Sequence, residues 1–414
     1  MDFNNQANIR NLISRYFHER LNYRQIVTVL REQHGILLSI RHLYRLLRSE
    51  GLQRRSYSDP SSVIDFVQNE LQHSGQQHGY RIMRERCLAN GLYVRSGDIA
   101  TILRIMDPEV ITGKYISDFT LNQLWITFPL ALFFYLFTGV QHRTARRFNR
   151  RTYSAAGPSF LWHIDGYDKL KPYGLCIHGC ICGFSRKILW LNVFNTNNNP
   201  RVIAGYFLET VEKYGGTAKV IRGDFGTENT LVKELQRWFK RDSGDNIDYI
   251  EGASTLNQRI ESWWGYLRRQ HIQYWIDLFR GLQEVGEYSG SQLDKHLVQF
   301  CFMGIVQTEL DLAVSMWNNH TIRRSRSNNP CGQPNRMFNY PSLWNARNYM
   351  FPVPQQDVFA CSNRVQFRSS VCCDADVYEL CINIMAEDDL LPPANAEDAL
   401  SLYRHLRAGI NAGH

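Results

Sequence analysis

The stretch that decides the fold is Trp162-His163-Ile164-Asp165-Gly166-Tyr167-Asp168, which places a carboxylate inside a largely apolar and aromatic run. A run of this length and composition predicts a buried β-strand. Two further acidic residues, Asp224 and Glu261, follow at long intervals along the chain. We predict that Asp165, Asp224 and Glu261 come together in one metal-binding site.

The residues after Asp165 alternate between strand and helix patterns. Three apolar runs with short turns between them predict an antiparallel meander, with strands at 160–167, 175–182 and 187–194. Further strands are predicted at 219–221 and 247–251, and helices at 202–214, 230–240 and 260–279. Asp224 then follows the end of the fourth strand, and Glu261 lies near the start of the last helix. The pattern predicts a five-stranded α/β core at residues 153–285.

Three carboxylates on such elements suit phosphoryl transfer on nucleic acid. Mg²⁺ prefers hard oxygen ligands and keeps several waters, so a few carboxylates are enough to bind it. Two divalent ions about 3.5–4 Å apart can activate an oxygen nucleophile and stabilise the leaving oxygen of a phosphodiester. A side-chain base is then not required when the nucleophile is water or a DNA 3′-hydroxyl.

Other candidate ligands have competing interpretations. Asp168 lies three residues after Asp165 and faces the other side of a strand, so we expect it to close the turn with Lys169 and Lys171. Glu228 is either a ligand or a cap of the helix that follows it. An alternating set on the second strand suggests either a soft-metal site or a buried thiol-rich face, and neighbours on one strand cannot surround a tetrahedral ion alone: Cys176, His178, Cys180 and Cys182.

Bulk composition limits the class of protein. The 414 residues carry a net charge of +8 with a pI near 8.9, a balance that fits a polyanionic partner. The ten cysteines lack the spacing of a disulfide framework or of a zinc finger, and residues 1–5 lack the features of a secretory signal. The apolar run at 124–137 is shorter than the about 20 residues that a membrane span needs. We expect an intracellular protein without a membrane segment.

The N-terminal third has the pattern of DNA-binding helices. Residues 1–55 predict three helices, of which the second begins with a capping box at Asn22 and Gln25 and the third is capped by Ser39. On the third helix the apolar residues Ile40, Leu43, Leu46 and Leu47 are expected to face inward, and the basic residues to face outward: Arg41, His42, Arg45 and Arg48. This arrangement is typical of a helix-turn-helix module, with a plain helical bundle as the alternative.

Two more segments precede the core. Residues 60–109 predict a second module of the helix-turn-helix type, which either reads DNA or mediates dimerisation. Residues 110–152 combine an atypical apolar insertion with a basic linker that holds Arg146 and Arg147. We predict that these two arginines contact DNA phosphates or belong to a nuclear-import segment, and that Arg259 and Arg268 contact phosphates beside Glu261. A solvated surface is the alternative for all four.

At these motifs the sequence resembles the DDE integrase and transposase superfamily, in particular the integrase core domains of eukaryotic transposable elements. Trp162-x-x-Asp165 matches the first motif, Asp224–Asn229 the second and Asn257–Glu261 the third, and 36 residues separate Asp224 from Glu261, close to the family's spacing. The turn 183–187 matches as well, although Cys182 stands where such cores usually carry an acid. The resemblance spans residues 150–345.

The resemblance implies an RNase H-like fold with a mixed five-stranded sheet, two Mg²⁺ or Mn²⁺ ions, and cleavage and strand transfer of DNA. It also implies that Asp165, Asp224 and Glu261 are the catalytic and metal-binding residues. We expect DNA partners that include element ends and target DNA, a homo-oligomer, and a nuclear location. Residues 286–345 are predicted to close the core with helix, and 346–414 to form a helical C-terminal appendage.

Two other functions remain open from the residues alone. A domesticated, catalytically silent copy would keep the helix-turn-helix modules and bind DNA without cutting it. A nuclease of the RNase H type would cleave RNA–DNA hybrids without joining ends. The three hypotheses differ in whether strand transfer, binding alone or hybrid cleavage is observed.

Overall fold

The computed structural model describes residues 3–54, 57–106, 154–244, 247–253, 256–324 and 329–412. These form two compact units: Met1–Ser56 belongs with Ala155–Ser325 and Pro330–His414, and Tyr57–Ser154 with Arg326–Asn329 is separate. The predicted insertion and basic linker at 110–152, with Arg146 and Arg147, lie outside the described residues.

The first three helices form a module with its own apolar core. They are α1 (Phe3–His18), α2 (Tyr23–His34) and α3 (Ile40–Ser49). The capping box at Asn22 and Gln25 and the Ser39 cap are both present, as predicted. Leu43 and Leu47 are buried, but Ile40 is 39% exposed, so the prediction that it faces inward is wrong. At the first position of the helix, Ile40 precedes the turn that contacts the module's core.

The first module also contacts the segment that closes the α/β core. Tyr340 is buried among the module's apolar residues and stacks edge-on against Tyr16, with ring centroids 5.6 Å apart. Its hydroxyl donates to the Glu19 carboxylate, and Arg336 donates to the Arg20 carbonyl. The α/β core therefore supplies part of the apolar interior of this module.

The second unit contains α4 (Pro60–Gln72), α5 (Tyr80–Ala89) and α6 (Ser96–Met106). Val63 and Val67 pack against Met83, Ile99 and Leu103. One ion pair in it is buried: the Arg86 guanidinium contacts the Glu70 carboxylate and donates to Ser74 Oγ at 2.9 Å. This pair neutralises a charge that could not otherwise be buried.

The α/β core and the helices after it follow. In chain order they are β1 (Leu161–Tyr167), β2 (Cys176–Cys182), β3 (Ile188–Phe194), α7 (Pro200–Tyr214), β4 (Gly216–Thr217), β5 (Val220–Gly223), α8 (Thr230–Phe239), β6 (Tyr249–Glu251), α9 (Gln258–Leu267), α10 (Gln273–Glu284), α11 (Gln292–Asn319), α12 (Pro334–Asn339), β7 (Phe351–Pro352), α13 (Gln355–Cys361), α14 (Ala375–Glu387) and α15 (Ala396–Ala412).

The main sheet is mixed and has the strand order β3-β2-β1-β5-β6. β1 pairs antiparallel with β2 and parallel with β5, and β5 pairs parallel with β6. The five-stranded sheet and the antiparallel meander confirm the predicted fold class. The carboxyl ends of the parallel strands β1 and β5 point the same way, and this brings residues that follow them to one edge of the sheet.

The helix predicted at 260–279 is longer than expected and is interrupted. α9 and α10 are joined by one turn of π-helix at Arg268–Ile272. Within this turn His271 Nδ1 lies 2.6 Å from the Glu309 carboxylate of α11, in the protein interior. A wide turn of this kind inside a helix often marks a functional segment.

α11 is the core helix of the C-terminal half. It packs against β3 and α15. By length and composition alone its 28 residues could cross a membrane, with a mean hydropathy of 1.4, and 56% of that window is buried inside the protein. Buried core helices share these properties, and α11 also carries the buried polar residues Asp294 and Gln299.

Candidate active site

Asp165 lies on β1, in the middle of the main sheet. Only 7% of it is exposed, and its neighbour on β2 is Gly179. Oδ2 accepts a hydrogen bond from the Trp264 indole nitrogen at 2.8 Å. Burial raises the pKa of Asp165 to about 7, the indole bond acts in the opposite direction, and the negative charges of Glu261 and Asp224 add to the rise. The first carboxylate is therefore a buried group that feels the other two.

Asp224 is the first residue after β5, at the carboxyl end of that strand. The strand ends at Gly223, where an added Cβ would lie 2.3 Å from the Tyr249 hydroxyl, so a side chain here would displace the Tyr249 ring. The side-chain amide of Asn229 donates to Asp224 Oδ1 at 3.2 Å and to Glu228 Oε1 at 3.0 Å. One buried amide thus binds two carboxylates of the loop.

Glu261 lies in the first turn of α9, with its side chain exposed. Partial burial of Glu261 and the charge of Asp224 raise the pKa of its carboxyl group. The start of α9 is bound to β1 by Asn257, whose amide donates to the Ile164 carbonyl at 2.8 Å and whose oxygen lies 2.7 Å from His163 Nδ1. Burial lowers the pKa of His163 to about 3, so the ring is neutral and donates this bond.

The structure therefore brings Asp165, Asp224 and Glu261 within electrostatic range of one another. Glu228 belongs to the same cluster, because burial and the neighbouring Asp224 raise its pKa. No side chain caps α8 by a hydrogen bond. Glu228 therefore lies beside Asp224 and does not cap α8, and its role as a ligand stays a prediction.

The donor set agrees with a hard divalent cation. Carboxylate oxygens are the ligands that Mg²⁺ and Mn²⁺ favour, and a cation relieves the mutual repulsion that raises these pKa values. Within the described ranges, no three His, Cys, Asp or Glu side chains already surround a common point as ligands. The carboxylates act on one another electrostatically, but their side chains are not arranged as a completed metal site in the part of the chain that the structure describes.

The remaining candidates from the second strand are structural. Cys176, Cys180 and Cys182 are buried, and burial raises the pKa of Cys180 well above its ordinary value. Asp168 accepts from Lys171 Nζ at 3.2 Å and from the Asn197 amide at 2.6 Å. It closes the turn after β1, as predicted.

The predicted DNA-contacting residues have different surroundings. Arg41, His42 and Arg45 are exposed on α3. Arg268 is exposed at the start of the π-turn, and Arg259 is half-buried and donates to the Gly183 carbonyl at 3.1 Å. The Arg259 bond connects α9 to the turn between β2 and β3.

Sequence reasoning missed three residues that orient the carboxylates: Asn229, Asn257 and Trp264. Both asparagines lie inside the quoted motifs, and Trp264 lies on the helix predicted at 260–279, three residues after Glu261. One signal could have identified Trp264, because a buried indole N–H requires an acceptor and Glu261 is only one turn away.

Comparison with known families agrees with this geometry. A family model described as "Integrase core domain" matches residues 152–345. No curated protein matches the chain. The matched segment contains β1 to α12, and hence the sheet and all the acidic residues of the site. Residues 152–345 are therefore similar to an integrase core domain with an RNase H-like sheet, and this match supports the resemblance to the DDE integrase and transposase superfamily.

Proposed function

We propose that this chain is a transposon-type integrase that cleaves DNA and transfers its strands at Asp165, Asp224 and Glu261. The observation that carries the proposal is the placement of the three acids: Asp165 is buried on β1, the charges of Asp224 and Glu261 act on it, and all three lie in the segment that matches an integrase core domain. Mutually repelling carboxylates that lie close together raise the free energy of the folded state. Groups of this kind are typical of functional sites.

Each acidic side chain has a distinct part. Asp165 is held by the Trp264 indole and provides a ligand of defined direction. Asp224 and Glu261 approach from a loop and a helix, so their side chains can adjust to an ion. When bound, Mg²⁺ or Mn²⁺ supplies nucleophile activation and charge stabilisation at the leaving oxygen.

The first module would deliver the DNA. α3 presents Arg41, Arg45 and Arg48 on its exposed face and contains no acidic residue. An exposed basic helix capped at its N-terminus suits a DNA groove, with the arginines at phosphates or base edges. Arg268 would contact phosphates beside the active site. Self-association, binding of both element ends and target DNA, and a nuclear location stay predictions.

Strand transfer by the purified full chain tests the proposal. Because the cognate DNA is unidentified, duplexes enriched from a random pool by binding serve as 3′-hydroxyl donors, with a supercoiled plasmid as target and Mn²⁺ as the ion. We expect joined products with the native protein, and a loss of at least about 10³-fold with Asp224→Asn or Glu261→Gln. The matched control is Asp168→Asn, an acid outside the site, which should retain activity.

Two outcomes would replace the proposal. Sequence-selective binding that needs no metal and gives no nicks would indicate the catalytically silent DNA-binding protein. Cleavage of RNA–DNA hybrids without any joined product would indicate a nuclease. Equal activity of native protein and Asp224→Asn would exclude the carboxylate mechanism.

A further inference from the structure

We propose that Trp264 is a positioning residue, whose indole N–H orients the first carboxylate and thereby sets the metal affinity of the site. The inference rests on the proposed function, since it concerns the same three acids. It adds to that function a role for a residue that is not acidic: Asp165 accepts a hydrogen bond from a neutral aromatic side chain on the helix that also carries Glu261.

The contact itself is short and shielded. Trp264 is 5% exposed, and its Nε1 lies 2.8 Å from Asp165 Oδ2 in the interior. Its ring packs beside Tyr167 and Trp263, with centroids 5.1 Å and 5.2 Å away. A ring held on both sides cannot rotate freely, so the N–H direction is determined by packing.

Strand β2, which pairs with β1, leaves space for the Trp264 ring. Gly179 lies directly across from Asp165 in the antiparallel register. A Cβ at Gly179 would lie 2.9 Å from Trp264 Cη2 and 3.2 Å from Leu191 Cδ1. The space that the indole occupies beside Asp165 therefore depends on the missing side chain of the neighbouring strand.

The chemical type of the donor matters for a cation site. An indole N–H donates but carries no charge, whereas lysine or arginine in the same place would repel a divalent ion. The indole offsets part of the cost of burying the Asp165 carboxylate without competing with a metal. Trp264 follows Glu261 by three residues on α9, so both lie on one side of the helix within a single turn. Movement of α9 would therefore shift two carboxylates together.

Trp264→Phe removes the N–H and keeps an aromatic ring. Mn²⁺ alone is the probe, with its affinity measured from the electron paramagnetic resonance signal of the free ion and from titration calorimetry. We expect about a tenfold loss of affinity, the usual size of the effect when an outer partner of a ligand is removed. At saturating Mn²⁺ the rate of strand transfer should largely recover.

Trp263→Phe is the matched control. It is the adjacent buried indole, and its N–H makes no hydrogen bond within the described structure. It should bind Mn²⁺ like the native protein. Gly179→Ala should weaken Mn²⁺ binding in the same direction as Trp264→Phe, because it displaces the ring and leaves every ligand intact.

The native protein provides a test that does not depend on folding of a variant. The indole ¹H–¹⁵N resonance assigned to Trp264 should be strongly broadened by Mn²⁺, and more so than that of Trp190. Unchanged Mn²⁺ affinity in Trp264→Phe, while Asp165→Ala abolishes binding, would overturn the positioning role alone. Unchanged affinity in Asp165→Ala would overturn the metal site itself, and the inference with it.

Discussion

The two sides of the acidic site are built differently. On the strand side, Asp165 is 7% exposed and held by a buried indole. On the loop side, Asp224 is half-buried, and the next residue, Phe225, is 74% exposed. Asp165 lies within a paired strand, whereas Asp224 follows the end of β5 and accepts a hydrogen bond from the Asn229 amide. The site thus combines one carboxylate of fixed direction with others that can move.

This difference suggests that the carboxylates on the two sides have different roles in binding an ion. A rigid ligand sets where an ion can bind, and the loop carboxylates can follow the ion and the DNA. Burying the Asp165 carboxylate on the strand side lowers the stability of the folded protein. The loop side remains accessible to a large substrate. The predictions below separate the two sides.

The largest expected effect is a pH-dependent loss of stability caused by Asp165. Its pKa rises from 3.8 to about 7 on folding, so the protonated form is favoured in the folded protein. The folded state of metal-free protein should therefore lose stability as the pH rises from about 4 to about 7. At 1.36 kcal/mol per pKa unit the loss reaches up to about 4 kcal/mol. Asp165→Asn should be free of it.

The measurement is the difference in unfolding free energy between native protein and Asp165→Asn at each pH. The comparison is needed because His163 and His178 are buried and their pKa values are lowered to about 3, which makes stability increase with pH over the same range. Both histidines are common to the two proteins and cancel. A constant difference between pH 4 and 7 would contradict the burial of an ionised Asp165.

The second prediction concerns the amide that connects β1 to α9. Asn257→Ala removes the hydrogen bonds that its side-chain amide makes with His163 Nδ1 and with the Ile164 carbonyl in the interior. We expect a loss of about 2–4 kcal/mol, because each buried polar group without a partner costs about 1–3 kcal/mol. Urea denaturation measures it, with the exposed Asn319→Ala as control. A loss below about 1 kcal/mol would show that Asn257 does not hold the strand side together.

The sequence predicts the parts of this molecule that depend on local spacing. The apolar runs around Trp162 predict the strands, and Asn22 and Ser39 predict helix starts, because periodicity and capping act within a few residues. The spacing of Asp224 and Glu261 likewise predicts that they belong to one family motif. These features need no knowledge of distant contacts.

Contacts between distant residues were not predictable. Asn257 binds Ile164, and Trp264 binds Asp165, across more than 90 residues of sequence. Such partners depend on strand order and side-chain direction, which no local pattern contains. The π-turn at Arg268–Ile272 is similar, since the buried contact of His271 with Glu309 forms between separate helices. The missed residues are therefore those that orient the carboxylates.

On the loop side we expect a moderate effect from Asn229→Ala. The change removes the only hydrogen bonds described between the Asn229 amide and Asp224 and Glu228, and leaves the sheet intact. Mn²⁺ affinity should fall by about tenfold, as for other outer partners of ligands. The free energy of unfolding of the metal-free protein should fall by less than in Asn257→Ala, because Asp224 and Glu228 are only half-buried and water can replace the lost hydrogen bonds. An unfolding change as large as that of Asn257→Ala would erase the distinction between the two sides.

The last prediction concerns Phe225, where the expected effect is no larger than that of Asn229→Ala; it tests whether the exposed loop contacts substrate. A flat aromatic ring one residue from Asp224 can stack on an unpaired base at a DNA end, and such stacking contributes about 1–3 kcal/mol per base. Phe225→Ala should weaken binding to duplexes with frayed ends by about tenfold, and binding to fully paired duplexes much less, as measured by fluorescence anisotropy. Phe359→Ala is the matched control, since Phe359 is 78% exposed on α13. If Phe225→Ala weakened binding to both DNA types equally, or if Phe359→Ala had the same effect, Phe225 would have no role in recognising the DNA end. The loop side of the site would then act through its carboxylates alone.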